Sequence, residues 1–156
     1  LEVKIVTLPQ MRVASAIGFG EQPEDLPWEK ILSWARAAGL LDDLDAVRFF
    51  GFNNPSPSPG SPNYGYEQWI TLPGEPAGEE VKPADEIEFK TLAGGLYAVT
   101  RCTLLDIGEK WQQLVIWSED SAYEIAHHRQ CLEEAITPPG TPFEEMVLDL
   151  YLPITK

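Results

Sequence analysis

The sequence predicts an α+β fold in which one βαββ unit is written twice, giving two halves with pseudo-twofold symmetry, an antiparallel sheet and two main helices. Two heptapeptides carry the clearest sign of this duplication, WEKILSW at residues 28–34 and WQQLVIW at residues 111–117. Further landmarks recur around them in the same order: a Thr-Leu pair precedes each heptapeptide, and TLP or YLP follows it. An ordered set of landmarks at a nearly constant spacing indicates an internal repeat.

The first half opens with strand-forming segments and continues into a helix. Residues 3–6 and 11–17 are rich in apolar and β-branched side chains. Pro9 lies between them, so the segments form either one bent strand or two short strands. An apolar stripe at helical spacing begins at Trp28, and Gly39 is the expected end of this helix.

Two further strands complete the first half, at residues 47–52 and 66–72. In the second of these, the side chains alternate between the two faces of the sheet. Glu67 and Trp69 therefore share one face, and Tyr66 points to the other.

The second half repeats this order after a linker at about residues 74–85, which is rich in Pro, Gly and Glu. Residues 86–104 repeat the opening strands, and a helix is expected over residues 106–117. An extended segment at residues 123–136 and a final strand at 146–154 follow. The chain is thus predicted to be a single domain, residues 1–156, with halves at about 1–73 and 86–156.

Composition excludes several functional classes. With 25 acidic and 11 basic residues, the net charge is −14, so this chain alone is not expected to bind nucleic acid. Two cysteines favour a reducing, cytoplasmic compartment, and no apolar run is long enough to span a membrane. No cofactor is predicted, because the chain lacks a Gly-rich phosphate loop, a Gly-x-Ser-x-Gly elbow and a dinucleotide fingerprint.

Glu133 is the main candidate for a functional carboxylate. It lies in the segment IAHHRQCLEEAI, where alternation puts it on one face with Arg129 and Cys131 and turns Glu134 to the other. A carboxylate among aromatic side chains suits a lipophilic cation, because charge attraction and cation–π contacts add. The alternative is a glutamate at the rim, paired with Arg129.

Other acidic and metal-binding candidates are weaker. Glu67 beside Trp69 is a second acid–aromatic pair, and Asp149 interrupts the apolar strand MVLDLYLPI. The adjacent histidines His127 and His128 would point to opposite faces of a strand and have no second pair of ligands. No metal site is therefore predicted.

Motifs spread over nearly the whole chain resemble the gyrase-inhibitor-like effector-binding domains, which also form the C-terminal ligand modules of AraC- and MerR-type transcription regulators. The first half contributes VKIVTLPQMRVA, WEKILSW, FGFNNPSPSPG and GYEQWITL. The second contributes KTLAGGLYAV, WQQLVIW, YEIAHHRQCLEE and LDLYLPI.

This resemblance implies a cleft between two helix-bearing halves, lined by aromatics, with a glutamate near its base that binds bulky lipophilic cations. The family's glutamate segment matches Cys131-Leu132-Glu133 here. The sequence departs from the family pattern at Gln130, often proline, and at Ala135, often tyrosine, which puts the identity of the ligand in doubt. The residues expected to bind the ligand are Glu133, Trp69, Tyr97, Trp111, Tyr66, Glu67 and Tyr151.

The resemblance leaves three functions open. The first is a non-catalytic binding module for a lipophilic cationic or aromatic small molecule, with a DNA-binding domain fused to the chain or supplied separately. The second is a hydrolase that opens strained cyclopropane rings of DNA-alkylating compounds, with Glu133 as general base or as the group that holds the water. The third is an interaction module that binds a protein partner through its acidic surface.

Overall fold

The computed structural model describes residues 1–73 and 81–156. Residues 74–80, which are most of the predicted linker, lie outside the described residues. After them, the carbonyl oxygen of Lys82 accepts a hydrogen bond of 3.2 Å from Trp34 Nε1. Within the described part, no helix is long and apolar enough to cross a membrane.

The α+β class is confirmed, and each predicted helix and strand has a counterpart. In chain order the elements are β1 (Lys4–Leu8), β2 (Met11–Gly20), α1 (Asp25–Ala37), 3₁₀ turns at Leu40–Asp42 and Leu44–Ala46, β3 (Phe49–Asn53), β4 (Tyr64–Thr71), β5 (Glu88–Leu92), β6 (Gly95–Thr103), α2 (Ile107–Asp120), β7 (Glu124–Ile125), β8 (Leu132–Ala135), a 3₁₀ turn at Phe143–Glu145, and β9 (Val147–Thr155).

The chain forms two compact units whose limits differ from the predicted halves. The central unit comprises residues 11–92, and the terminal unit comprises residues 1–10 together with 93–156. The difference arises because β1 pairs with β6 of the second half, while β5 pairs with β2 of the first. The first strand of each half therefore belongs to the unit built by the other half.

Both units have the same antiparallel strand order, as expected for a duplicated sequence. In the central unit the order is β5-β2-β4-β3. In the terminal unit it is β1-β6-β9-β8, and the short β7 pairs with the end of β9. Pro9 separates β1 from β2, so the alternative of two short strands is the one the fold adopts.

In the central unit, α1 packs on one face of the strands. Ile31 and Ala35 of the predicted helical stripe are fully buried. Its two tryptophans make edge-on contacts with strand aromatics, Trp28 with Phe49 at 5.0 Å and Trp34 with Phe89 at 5.8 Å between ring centroids. Such pairs stabilise by about 1 kcal/mol beyond the area they bury.

In the terminal unit, α2 covers alternate residues of β6 and β9. The core there contains Ala98, Cys102, Leu114, Leu148, Leu150, Leu152 and Ile154, with Trp111 and Trp117 packed against it. Because Leu114 belongs to α2, the even-numbered residues of β9 face this helix. Tyr151 and Asp149 consequently face the opposite side of the strands.

The predicted extended segment at residues 123–136 is interrupted, contrary to expectation. A turn separates β7 from β8, closed by a hydrogen bond of 3.1 Å from the Arg129 amide to the Ala126 carbonyl oxygen. The Arg129 guanidinium is held by two carbonyl oxygens, those of Leu96 and Ile154. These long-range bonds stabilise the turn in place of a continuous strand.

Candidate functional site

The structure separates the seven predicted ligand residues into three pairs and one further tyrosine. In the central unit, Glu67 bonds to Trp69, while Tyr66 faces the α1 side, where its ring lies within contact distance of Gly51. In the terminal unit, Glu133 bonds to Trp111, and Tyr97 packs against Tyr151 on the opposite face. Alternation in β4 is as predicted, with Glu67 and Trp69 on one face.

Glu67 is the centre of a buried polar network. Its side chain is only 1% exposed. The carboxylate accepts four hydrogen bonds, from Ser15 Oγ (2.7 Å), Asn54 Nδ2 (2.9 Å), Trp69 Nε1 (2.6 Å) and Lys90 Nζ (2.8 Å). Its charge is compensated by Lys90 and its oxygens are occupied, so this acid is not available to bind a ligand cation.

These contacts also set the charge state of Glu67. Burial by itself raises the pKa of a carboxyl group, but the hydrogen bonds from Lys90, Ser15, Asn54 and Trp69 outweigh it and lower the pKa of Glu67 below its ordinary value. The group is therefore ionised in the folded protein at neutral pH, and folding favours the charged form.

The lowered pKa of Glu67 predicts a loss of stability in acid. The contribution of Glu67 is fully present above the ordinary value of 4.5 and is lost as the pH falls through the lowered folded pKa, because the unfolded chain then binds the additional proton. Urea unfolding from about pH 6 to about pH 3 measures it, with Glu67→Gln as the reference. The wild-type protein should lose more unfolding free energy over this range than the variant; equal losses would contradict the assignment.

Near this network, a cavity of about 330 Å³ opens in the central unit. Its lining residues are Ser15, Ile17, Lys30, Glu86, Ile87 and Glu88. Lys30 Nζ lies 3.1 Å from a carboxylate oxygen of Glu86 and also donates to the Ile17 carbonyl oxygen. None of the seven predicted ligand residues lines this cavity.

Glu133 lies on the α2 side of β8. It stands opposite Leu150, a core residue beneath α2, and its Oε2 accepts a hydrogen bond of 2.9 Å from Trp111 Nε1. Cys131 packs against the same core, so these two residues share a face as predicted. Arg129 does not share it, because the turn carries its guanidinium to the Tyr97 side.

The opposite face of the terminal unit brings together a carboxylate and two aromatic rings. Glu134 is 7% exposed, and its Oε1 accepts a hydrogen bond of 2.7 Å from the Tyr151 hydroxyl. Tyr151 packs edge-on against Tyr97, with the ring centroids 5.7 Å apart. Burial raises the pKa of Tyr97 despite the nearby Arg129 guanidinium, so this phenol stays neutral. We call Tyr97, Tyr151 and Glu134 the tyrosine–glutamate cluster.

Two charged residues lie beside this cluster. The Arg129 guanidinium carbon is 4.8 Å from the centroid of the Tyr97 ring. On the same face of the strands, Arg101 pairs with Asp149 through two hydrogen bonds of 2.9 and 3.2 Å. Asp149 is therefore engaged in an ion pair, which fits a structural role.

Sequence reasoning did not identify Glu134 and Lys90 as site residues. Lys90 lies on the repeated opening strand, and period-two counting alone puts it on one face with Glu88. Its contact with Glu67 depends on the pairing of β5 with β2, and no local sequence pattern predicts that pairing. Strand alternation correctly predicts that Glu134 lies on the face opposite Glu133. That Tyr151 lies on the same face as Glu134 follows only from the pairing of β8 with β9.

The two cysteines are free thiols, and both are poor nucleophiles. Burial, with nearby acidic groups, raises the pKa of Cys102 to about 12. Burial, together with the neighbouring Glu133, also raises the pKa of Cys131. In residues 1–73 and 81–156, no group of three or more His, Cys, Asp or Glu side chains is arranged to hold a metal ion.

Comparison with protein families gives a match over nearly the whole chain. The model of the Cass2 family, described as integron-associated effector binding protein, matches residues 4–154. No curated protein matches the chain.

Several solved structures have a similar fold. The EcmrR C-terminal domain aligns with a TM-score of 0.72 and 12% identity over 99% of this chain and 98% of that one. In the EcmrR–DNA complex the TM-score is 0.69 at 12% identity, and the alignment covers 99% of this chain but 57% of EcmrR.

Two further solved structures with this fold are a hydrolase and a protein bound to an organic cation. A hydrolase from Listeria innocua aligns with a TM-score of 0.71 and 12% identity, over 99% of this chain and 92% of that one. SAV2435 bound to tetraphenylphosphonium aligns with a TM-score of 0.56 and 11% identity, over 99% and 94%. At these identities the likeness concerns the fold alone.

Proposed function

Since this chain belongs to the Cass2 family of integron-associated effector-binding proteins, we propose that it is a small-molecule binding module whose effector is an aromatic or lipophilic cation. The observation that supports this is the tyrosine–glutamate cluster. There the Glu134 carboxylate, which is 7% exposed, accepts a hydrogen bond of 2.7 Å from Tyr151, whose ring packs against Tyr97.

This cluster has the chemistry that a lipophilic cation requires. The faces of aromatic rings attract a positive charge, and the attraction strengthens where water is excluded. A carboxylate in the same place supplies the counter-charge. Glu67 has no such role in the proposal, because Lys90 already neutralises it. Glu133 is the alternative carboxylate, with Trp111 as its aromatic neighbour.

The regulatory setting of the module is also a proposal. EcmrR, which has a similar fold, forms a complex with DNA, and this chain spans 57% of its length. With a net charge of −14, this chain is not suited to bind phosphate itself. We therefore place it in the cytoplasm as the effector-sensing part of a regulator, with DNA binding supplied by another domain or protein.

A screen with three related probes tests the binding function. Tetraphenylphosphonium is the cation, triphenylphosphine oxide the neutral compound, and tetraphenylborate an anion of nearly the same shape as the cation. A ligand that binds only the folded state raises the melting temperature. The cation should raise it and the anion should not. A protein that responds to none of the probes, or equally to cation and anion, would contradict the proposal.

We expect Glu134→Gln to weaken tetraphenylphosphonium binding by about tenfold, or about 1.4 kcal/mol, because it removes the counter-charge from a desolvated site where charge attraction is weakly screened. The amide keeps the size of the side chain and can still accept the bond from Tyr151. Isothermal titration calorimetry measures the dissociation constants.

Glu133→Gln is the matched control for this experiment. It removes the same charge one residue away, on the α2 side of β8, and should change affinity by much less than tenfold. A larger loss in Glu133→Gln than in Glu134→Gln would instead identify Glu133 as the ligand carboxylate. Equal losses would show that neither contact is specific.

A hydrolase is the second candidate, favoured by the hydrogen bond between the Tyr151 hydroxyl and the Glu134 carboxylate. A carboxylate and a phenol in contact can hold and move a proton, and one fold relative is a Listeria innocua hydrolase. Incubation with a cyclopropane-bearing alkylating compound distinguishes the two functions. Ring-opened product that disappears in Glu134→Gln would favour the enzyme, and binding without turnover would favour the module.

A further inference from the structure

We propose that Arg129 is an internal competitor for the cationic effector: its guanidinium occupies the face of Tyr97, and the effector has to displace it. This inference rests on the proposed function and concerns how access to the tyrosine–glutamate cluster is controlled. The guanidinium carbon lies 4.8 Å from the centroid of the Tyr97 ring, within the range of a cation–π contact. Tyr97 is only 1% exposed, so the ring face is not open to a second cation.

The guanidinium is anchored on one side and unsatisfied on the other. Nη2 donates to the carbonyl oxygens of Leu96 (3.0 Å) and Ile154 (2.7 Å). Nη1 is buried and has no hydrogen-bond partner among residues 1–73 and 81–156. A buried donor without a partner is less stable than the same donor in water, where it would be hydrogen-bonded. Departure of Arg129 would therefore lose two hydrogen bonds but recover the solvation of Nη1, which brings the closed and open arrangements closer in free energy.

The guanidinium of Arg129 packs closely against the backbone of Gly95, where a side chain would clash with it. Gly95 has a φ of +131°, and a Cβ at this position would lie 2.5 Å from Arg129 Nη1. A larger residue would force the guanidinium away from Tyr97. The glycine thus keeps open the space that Arg129 occupies.

Arg129 is also carried by a segment that can move without breaking a strand. It belongs to the turn between β7 and β8, whose neighbouring residues His127, His128 and Gln130 are exposed. Rearrangement of this turn leaves the β8–β9 pairs of Leu132 to Ala135 in place. An incoming cation can accordingly replace the guanidinium on Tyr97 while Glu134 keeps its position.

Removal of the competitor should tighten binding. In Arg129→Met, which keeps the aliphatic stem but removes the charge and the planar donor group, tetraphenylphosphonium should bind about tenfold more tightly or better. The affinity for the neutral triphenylphosphine oxide should increase less. This compound can contact the uncovered Tyr97 ring, but it is not helped by the removal of a positive charge. Arg36→Met removes one exposed positive charge from α1 and controls for the change in net charge; it should leave affinity unchanged.

A measurement on the wild-type protein keeps the inference testable even if Arg129→Met folds poorly. Because the guanidinium carbon lies over the Tyr97 ring, the protons of the adjoining δ-methylene of Arg129 should have upfield-shifted NMR resonances. These should move toward their unshifted positions when tetraphenylphosphonium is added. Binding without this movement, together with an unchanged or weaker affinity in folded Arg129→Met, would overturn the role of Arg129 and leave the binding function standing. If neither protein binds any cation, the proposed function itself fails.

Discussion

Glu67→Gln is expected to lower the free energy of unfolding by about 3 kcal/mol, because it removes the buried carboxylate that pairs with the partly exposed Lys90 and disturbs three further hydrogen bonds. The carboxylate accepts from four donors and is 1% exposed. An amide at this position brings its own N–H groups against donors that need an acceptor, and it leaves the Lys90 ammonium without its counter-charge. Urea unfolding at neutral pH measures the difference.

Two further variants serve as comparisons for the loss expected in Glu67→Gln. Ser15→Ala removes a single donor to the same carboxylate and should cost about 1 kcal/mol. Glu88→Gln removes the same charge from an exposed residue of β5, which pairs with Ser15 of β2. This change should alter the free energy of unfolding by no more than about 0.5 kcal/mol. If Glu67→Gln cost no more than Glu88→Gln, the network would not contribute to stability as the geometry indicates.

Gly65→Ala is the other substitution with a large expected effect, a loss of about 3 kcal/mol or more. Gly65 lies on β4 and exchanges hydrogen bonds with the chain after β3, donating to Pro55 and accepting from Asn54. A Cβ at this position would lie 1.9 Å from the Asn54 carbonyl oxygen. The clash is with backbone, which a side-chain rotation cannot relieve. The variant should also disturb Asn54, whose amide binds Glu67.

Gly108→Ala is the matched control. Gly108 is in α2, and apart from its chain neighbours and the helix's own backbone, no atom of the described residues lies within 4 Å of the position that its Cβ would take. Alanine favours the helix over glycine, so this change should raise the unfolding free energy by up to about 1 kcal/mol. Thermal unfolding of the two variants should therefore move in opposite directions. Similar shifts in the same direction would show that the close approach at Gly65 is not maintained.

The features that the sequence predicted are those with a local period. The apolar stripe that begins at Trp28 predicts α1, because residues three and four apart share one side of a helix. Ile31 and Ala35 of this stripe are buried. Alternation in β4 likewise separates Tyr66 from Trp69. In both cases, the interaction that decides the outcome involves residues close together in the chain.

The features that were missed depend on contacts between distant residues. Arg129 leaves the predicted strand because its guanidinium binds the carbonyl oxygens of Leu96 and Ile154, far away in sequence. The two faces of the short segment Leu-Glu-Glu-Ala are equivalent by pattern, so pairing with β9 decides which glutamate meets Tyr151. Nothing in residues 1–10 indicates that β1 joins the second half of the chain.

Because the central unit is one continuous segment and the terminal unit is formed from two separate segments, the order of synthesis affects when their strands can pair. The central unit is continuous in sequence, so its strands can pair as soon as residue 92 has emerged. Lys4 must wait for Val99, and β1 has no earlier partner within its own unit. Within the folded central unit Met11 pairs with Leu92, so its two ends are already close and little further loop closure is needed once β6 has emerged. β1 therefore stays unpaired until β6 has emerged, although the central unit is already able to fold by then.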